Sequence, residues 1–182
     1  MMDKLRQKYH GLDRAFVKSF LVAISLLAIS LGLNYFASAY ATARASAPVG
    51  DIILDNIPIF NLYGIYAFGP LVFWLIMAFF VIREPRTIPF TIKSIALFVV
   101  IRSIFVTLTH LGVSPSDLPP DAMSNFIKRL SYGGDLFFSG HTGMPFLVAL
   151  IFWENKYLRI FCIASAIFFG AVVLLVHMHY SI

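Results

Sequence analysis

The chain reads as an all-α protein, a polytopic bundle of transmembrane helices. Three observations point there. Its 182 residues are 59% hydrophobic. Only 13% are charged, against about 25% in an ordinary soluble domain. The charges are spaced so that five long apolar runs lie between them, each near the roughly 20 residues that cross a hydrocarbon core.

The first run follows a polar, basic leader, residues 1–18, with Lys4, Arg6, Lys8, Arg14 and Lys18. Between Lys18 and Arg44 stand 25 residues without a charge. Ala45-Ser46-Ala47 resembles a signal-peptide cleavage site, but so long a leader and run favour a retained helix. The transmembrane domain is accordingly expected over residues 19–182. Pro48 to Leu62 holds Asp51, Asp55 and Pro58 and reads as a loop or interfacial stretch.

Tyr63 to Ile82 is the second run, with Gly64, Gly69 and Pro70 marking close packing or a kink. Arg83-Glu84-Pro85-Arg86 ends it. The third run, Thr91 to Leu111, contains Arg102. Gly112 to Tyr132 is the longest polar connection, with a short helix expected around 122–130. Leu136 to Trp153 is the fourth run, Glu154 to Arg159 a tight turn, and Ile160 to Val176 the fifth run.

The net charge of +5 does not point to nucleic acid, because the basic residues sit in short loops between apolar runs. With the N-terminus on the cytoplasmic side, ten Lys and Arg fall inside and three outside, with Arg102 in the membrane. This is the bias of a cytoplasmic N-terminus. The single cysteine, Cys162, permits no intrachain disulfide.

Gly134-Asp135-Leu136-Phe137-Phe138-Ser139-Gly140-His141-Thr142 concentrates the polar chemistry. An ionisable side chain at the mouth of an apolar run is costly without a use. In the expected topology His141 lies near the outer end of the fourth helix, and His177 and His179 near the outer end of the fifth. A short turn makes these helices antiparallel neighbours, so imidazoles about 36 residues apart meet at one depth as a nucleophile and acid pair. If the fifth helix continues, His177 and His179 point about 200° apart, and spacing does not say which faces inward.

The backbone N–H groups at the start of the fourth helix suit an anion, with Ser139 as N-cap and Gly140 allowing close approach. An ordinary capped helix with an interfacial His is the plainer reading. Arg102, too costly to leave in lipid, should face the interior and meet either a phosphate or an acid such as Asp135. Asp135 itself fits orientation of a His, binding of a cationic headgroup, or loop capping. His141, His177, His179 and Asp135 lack metal-ligand spacing, so neither metal nor cofactor is expected.

The Gly134-Asp135-x-x-Phe138-Ser139-Gly140-His141-Thr142 element, with His179-Tyr180-Ser181-Ile182, resembles the sphingomyelin synthase family. That family is a branch of the lipid phosphate phosphatase (type 2 phosphatidic acid phosphatase) superfamily. Arg102 to Thr109 resembles its Arg-containing third helix, and Asp51 to Pro58, more loosely, its first outer loop. The resemblance implies six helices, of which five are present here, and an exoplasmic or periplasmic site. It implies His179 as nucleophile on the lipid phosphorus, His141 as acid and then base, and Arg102 with the Ser139–Thr142 amides as phosphate ligands. The partners implied are a phospholipid and a lipid alcohol of ceramide or diacylglycerol type. The family's third catalytic residue, an Asp, would fall immediately after Ile182, so the sequence reads as truncated ahead of that Asp and the sixth helix. A phosphatase transferring to water shares the first half-reaction and is one alternative; an inactive lipid-binding protein, on the ground of the missing Asp, is the other. Gly133 stands where the animal enzymes carry Cys, and the KxxxxxxRP motif of the phosphatase branch is absent.

Overall fold

The computed structural model describes residues 13–112 and 138–181. The structure is 76% helical, and no strand occurs among the described residues. The expected helix around 122–130, Asp135 and the start of the fourth run lie outside the described residues.

Helix α1 spans Arg14–Ala43 and so begins inside the basic leader. Asp13 caps it, accepting a hydrogen bond from Phe16 N at 2.9 Å. Its buried residues are small: Ala23, Ser30, Ala37, Ser38 and Ala41. Small side chains let two membrane helices approach closely, and this face packs most extensively against α3, Ile88–Leu108. On α3 the buried Ala96, Val99, Ser103 and Val106 recur every three or four residues, which is one helix face. Val106 closes against Ala37 and Ala41.

Helix α2 spans Tyr63–Arg83 and contains Pro70. Gly69 marks close packing, since a Cβ there would stand 2.6 Å from the Phe169 ring. A 3-10 turn, Pro85–Thr87, leads into α3, and Pro89 sits in the first turn of that helix, where a missing N–H costs nothing.

Helix α4, Gly140–Ile151, has 12 residues. It rises about 18 Å, so the fourth apolar run is not a full-length spanning helix. Phe152 to Asn155 turns the chain, and Asn155 caps α5, Lys156–Leu175, by accepting from Leu158 N at 3.2 Å. The expected antiparallel hairpin is therefore present. Phe73 and Met77 of α2, Val148 and Ala149 of α4, and Leu158, Cys162 and Phe169 of α5 form the largest core cluster.

Four helices are long and apolar enough to cross a membrane, counting α3 together with its leading turn. Only 11–33% of each spanning window is buried. Leu21, Phe36, Leu75, Leu97 and Ile167 point outward, and surface of that kind is at home only against lipid.

The two ends of the bundle differ. Lys93 at the start of α3 donates to Ser19 at the start of α1 at 2.8 Å, so these helix starts share an end, and a cavity lined by Arg83, Thr87, Phe90, Glu154 and Asn155 puts the α4–α5 turn there as well. Arg14, Lys18, Arg83, Arg86, Lys93, Lys156 and Arg159 all belong to it. Among the described residues the opposite end carries Arg44 together with Asp51 and Asp55.

Candidate functional site

The less basic end gathers most of the residues singled out from sequence. Arg102, half-buried on α3, turns inward. Its Nε donates to the Phe138 carbonyl at 3.0 Å and a terminal nitrogen donates to Asn34 Oδ1 of α1 at 3.0 Å. A Cβ added to Gly140 would lie 3.8 Å from Arg102 Nε, so the guanidinium stands beside the first turn of α4. The expectation that Arg102 faces the interior therefore holds, and two of its partners are neutral oxygens.

Ser139 occupies the N-cap position with extended backbone (φ −64°, ψ 119°), but its side chain makes no capping bond. Its Oγ is buried and has no hydrogen-bond partner among the described residues. The capping role expected for Ser139 is thus corrected in part: the backbone caps, the hydroxyl does not. Gly143 N donates to Ser139 O at 3.0 Å. The N–H groups of Gly140, His141 and Thr142 precede this first helical bond and have no acceptor within the helix.

His141 is half-buried, and its imidazole stacks on the Tyr66 ring at 4.4 Å and 21°. Tyr66 belongs to a buried cluster with Tyr63, Val172, Val173 and Val176, against which Met178 packs. His141 and the segment around His177 and His179 therefore flank one apolar cluster. Thr142 lies beside Gly170, whose Cβ would stand 3.5 Å from Thr142 Oγ1. The first turn of α4 thus lies beside Gly170, five residues before the last residue of α5.

The geometry beyond α5 departs from the helical expectation. His177 has φ 55°. His177 N donates to Leu174 O at 3.0 Å and Met178 N to Val173 O at 3.2 Å. This is a Schellman helix end with His in the left-handed position usually held by Gly. Because the helix has stopped, the 200° separation does not apply, and both His177 and His179 are buried.

Two distant loops clasp the segment beyond this turn. Tyr180 donates its hydroxyl to Gly112 O at 2.8 Å and accepts from Val49 N at 3.3 Å. Ser181 donates to Asp51 twice, from N to Oδ2 at 2.6 Å and from Oγ to Oδ1 at 2.8 Å. Asp51 Oδ1 also accepts from Ile53 N at 2.9 Å and Leu54 N at 3.1 Å. Burial by itself would raise this carboxyl's pKa. The bonds from Ser181, Leu54 and Ile53 outweigh burial and hold it below its ordinary value. Gly112 is required where it is, because any Cβ would strike Ser46 O and the backbone of Ala47 and Pro48.

Arg102, Ser139, Gly140, His141 and Thr142 thus form one half of the candidate site. His179 belongs to the other half, the clasped segment. Asp135 lies outside the described residues. Among the described residues no group of three or more His, Cys, Asp or Glu side chains could hold a metal ion. Three contributors escaped the sequence reading. Asn34 carried a usable signal, as the one carboxamide in an uncharged run of 25 residues. Tyr66 carried none, and Asp51 looked like any loop acid.

No family model, no curated protein and no solved structure matches this chain. The class defined by fold and composition is a polytopic α-helical membrane protein.

Proposed function

We propose that this protein transfers the phosphate-linked headgroup of a phospholipid to a lipid alcohol through a phosphohistidine, as its resemblance to the sphingomyelin synthase family implies. The observation that carries the reading is Arg102 beside the first turn of α4. A guanidinium and the leading N–H groups of a helix converge there next to His141, which is the chemistry that receives a phosphate.

In the proposed reaction a ring nitrogen of His179 attacks phosphorus. The P–O bond to diacylglycerol breaks, and His141 gives its proton to the departing oxygen. An alcohol then attacks the phosphohistidine as His141 removes its proton, and the P–N bond breaks. Arg102 and the Gly140–Thr142 amides carry the phosphoryl charge through both steps. Water in place of the alcohol makes the same chemistry a phosphatase. The burial of His177 and His179 favours a second reading, a non-catalytic membrane protein that binds a lipid phosphate.

Purified protein in nanodiscs, given phosphatidylcholine, phosphatidylethanolamine, phosphatidylglycerol or phosphatidic acid with or without ceramide, should release diacylglycerol. His179→Ala should abolish release. Undiminished turnover by His179→Ala sinks the mechanism. Lipid binding without any release by the unaltered protein supports the second reading.

For orientation we propose that the basic end faces the cytoplasm and the candidate site the opposite leaflet. Cysteines at Ser46 and Asn155 should then be labelled from opposite sides, since the native thiol, Cys162, is buried.

A further inference from the structure

We propose that Asp51 is a positioning residue: by clasping Ser181 it fixes the segment that carries His179. The inference rests on the reading of His179 as nucleophile. Asp51 is nine-tenths buried and lies in the loop between α1 and α2, 130 residues from Ser181. Its two oxygens divide the work. Oδ1 closes its own turn through Ile53 N and Leu54 N and also takes the Ser181 hydroxyl. Oδ2 takes Ser181 N and, on its other flank, the loop is tied down by Asp51 N donating to Asp55 Oδ2.

His179 needs such a device because of where it sits. The helical ladder ends at the Schellman turn around His177, so no helix dictates the direction of His179. The next two residues are bonded across the fold, Tyr180 to Gly112 and Val49, and Ser181 to Asp51. Of these partners only Asp51 carries a charge, and charge-assisted bonds are roughly twice as strong as neutral ones. A nucleophile displaced by about 1 Å loses rate on the order of 10²-fold. Holding His179 is therefore worth more to turnover than to substrate affinity.

The test compares Asp51→Asn, Ser181→Ala and the double variant with Ser181→Thr, which keeps the hydroxyl. Asp51→Asn keeps an oxygen for Ile53 and Leu54, so the loop's own turn survives while the bond from Ser181 N is lost. In nanodiscs, two quantities are read: amide exchange of residues 177–181, and kcat and KM for release of diacylglycerol from the phospholipid that the unaltered protein turns over fastest. The expected result is faster exchange in the double variant, a fall in kcat of about 10²-fold, little change in KM, and near-normal behaviour of Ser181→Thr. Unchanged exchange overturns the clasp. Faster exchange with kcat unchanged overturns the positioning role and leaves the proposed function standing. An unaltered protein that releases nothing from any lipid overturns the proposed function and the positioning role with it.

Discussion

Removing Arg102 and removing its partner Asn34 should have strongly coupled effects on stability. Arg102→Met forfeits the bonds to Phe138 O and Asn34 Oδ1. Hydrogen bonds to charged groups contribute about 1.5–3 kcal/mol each. The same change ends the burial of a guanidinium in a membrane span, which costs about 2.5–3.5 kcal/mol on insertion scales. Two such bonds amount to about 3–6 kcal/mol, so the terms partly offset and the net change should fall between about −0.5 and 3.5 kcal/mol. Asn34→Leu has no such offset, because it leaves the charge in place and takes away an acceptor, at about 1–3 kcal/mol or more. In the double variant the Leu no longer faces a guanidinium, and its added cost should vanish. The resulting non-additivity should be about 1–3 kcal/mol. Reversible unfolding in mixed micelles of graded denaturing detergent gives all four stabilities. Additivity within about 0.5 kcal/mol refutes the coupling. Turnover should behave differently, falling about 10²–10³-fold in Arg102→Met whatever its stability, as when one oxyanion donor is lost.

Two further expectations come from the end of α5. His177 has a left-handed backbone, which β-branched residues resist and Asn tolerates. His177→Val should therefore be less stable than His177→Asn by about 1–2 kcal/mol, and equal melting points would contradict the assignment of strain. Asp51 has a lowered carboxyl pKa in the folded protein. The stability it adds is present in full above the ordinary value of about 3.9 and is lost as pH falls below that, through the lowered value. Asp55, whose carboxylate accepts from Asp51 N, and His179, two residues before Ser181, are its titratable neighbours. Protection of the Tyr180 and Ser181 amides, exchange being taken relative to the unfolded-chain rate at each pH, should hold steady from pH 7 to 5 and fall only in strong acid. Release of the segment between pH 7 and 5 would assign the latch to histidine instead.

Much of the scaffold was legible because apolar length and charge placement report directly on membrane crossing. The uncharged stretch from Ser19 to Ala43 lies within α1, and a short link, expected over Glu154 to Arg159 and found at Phe152 to Asn155, forced α4 and α5 together. Arg102 was legible as inward-facing because lipid exposure is too costly. The limits of α4 were not, since apolarity marks a residue's surroundings and not its backbone: Phe138 and Ser139 belong to the same apolar stretch, yet precede the helix. The end of α5 was hidden for a related reason. Gly is the usual sign of a left-handed helix stop, and here His fills the position. Nothing local could reveal that Ser181 meets Asp51, because a bond spanning 130 residues is a property of the packed bundle.

The depth of the candidate site bears on what it could receive. Arg102 lies fourteen residues beyond Ile88 on α3, and Gly170 fourteen beyond Lys156 on α5. Both are therefore about 21 Å above the basic end, at 1.5 Å per residue. The start of α4, 12 residues above the turn, agrees at about 18 Å. Three independent helices thus bring the guanidinium and the leading N–H groups of α4 to one level. That level lies several ångströms inside a hydrocarbon layer about 30 Å thick if the basic end marks its boundary. A soluble phosphate ester would have to shed its hydration to reach it. A phospholipid already has its acyl chains at that depth, so only its phosphate need be drawn inward, toward a cation and a helix start that gain by receiving it. This recess is the physical ground for proposing a lipid ester over a soluble one. It also favours an alcohol that partitions into the bilayer over water as the second acceptor.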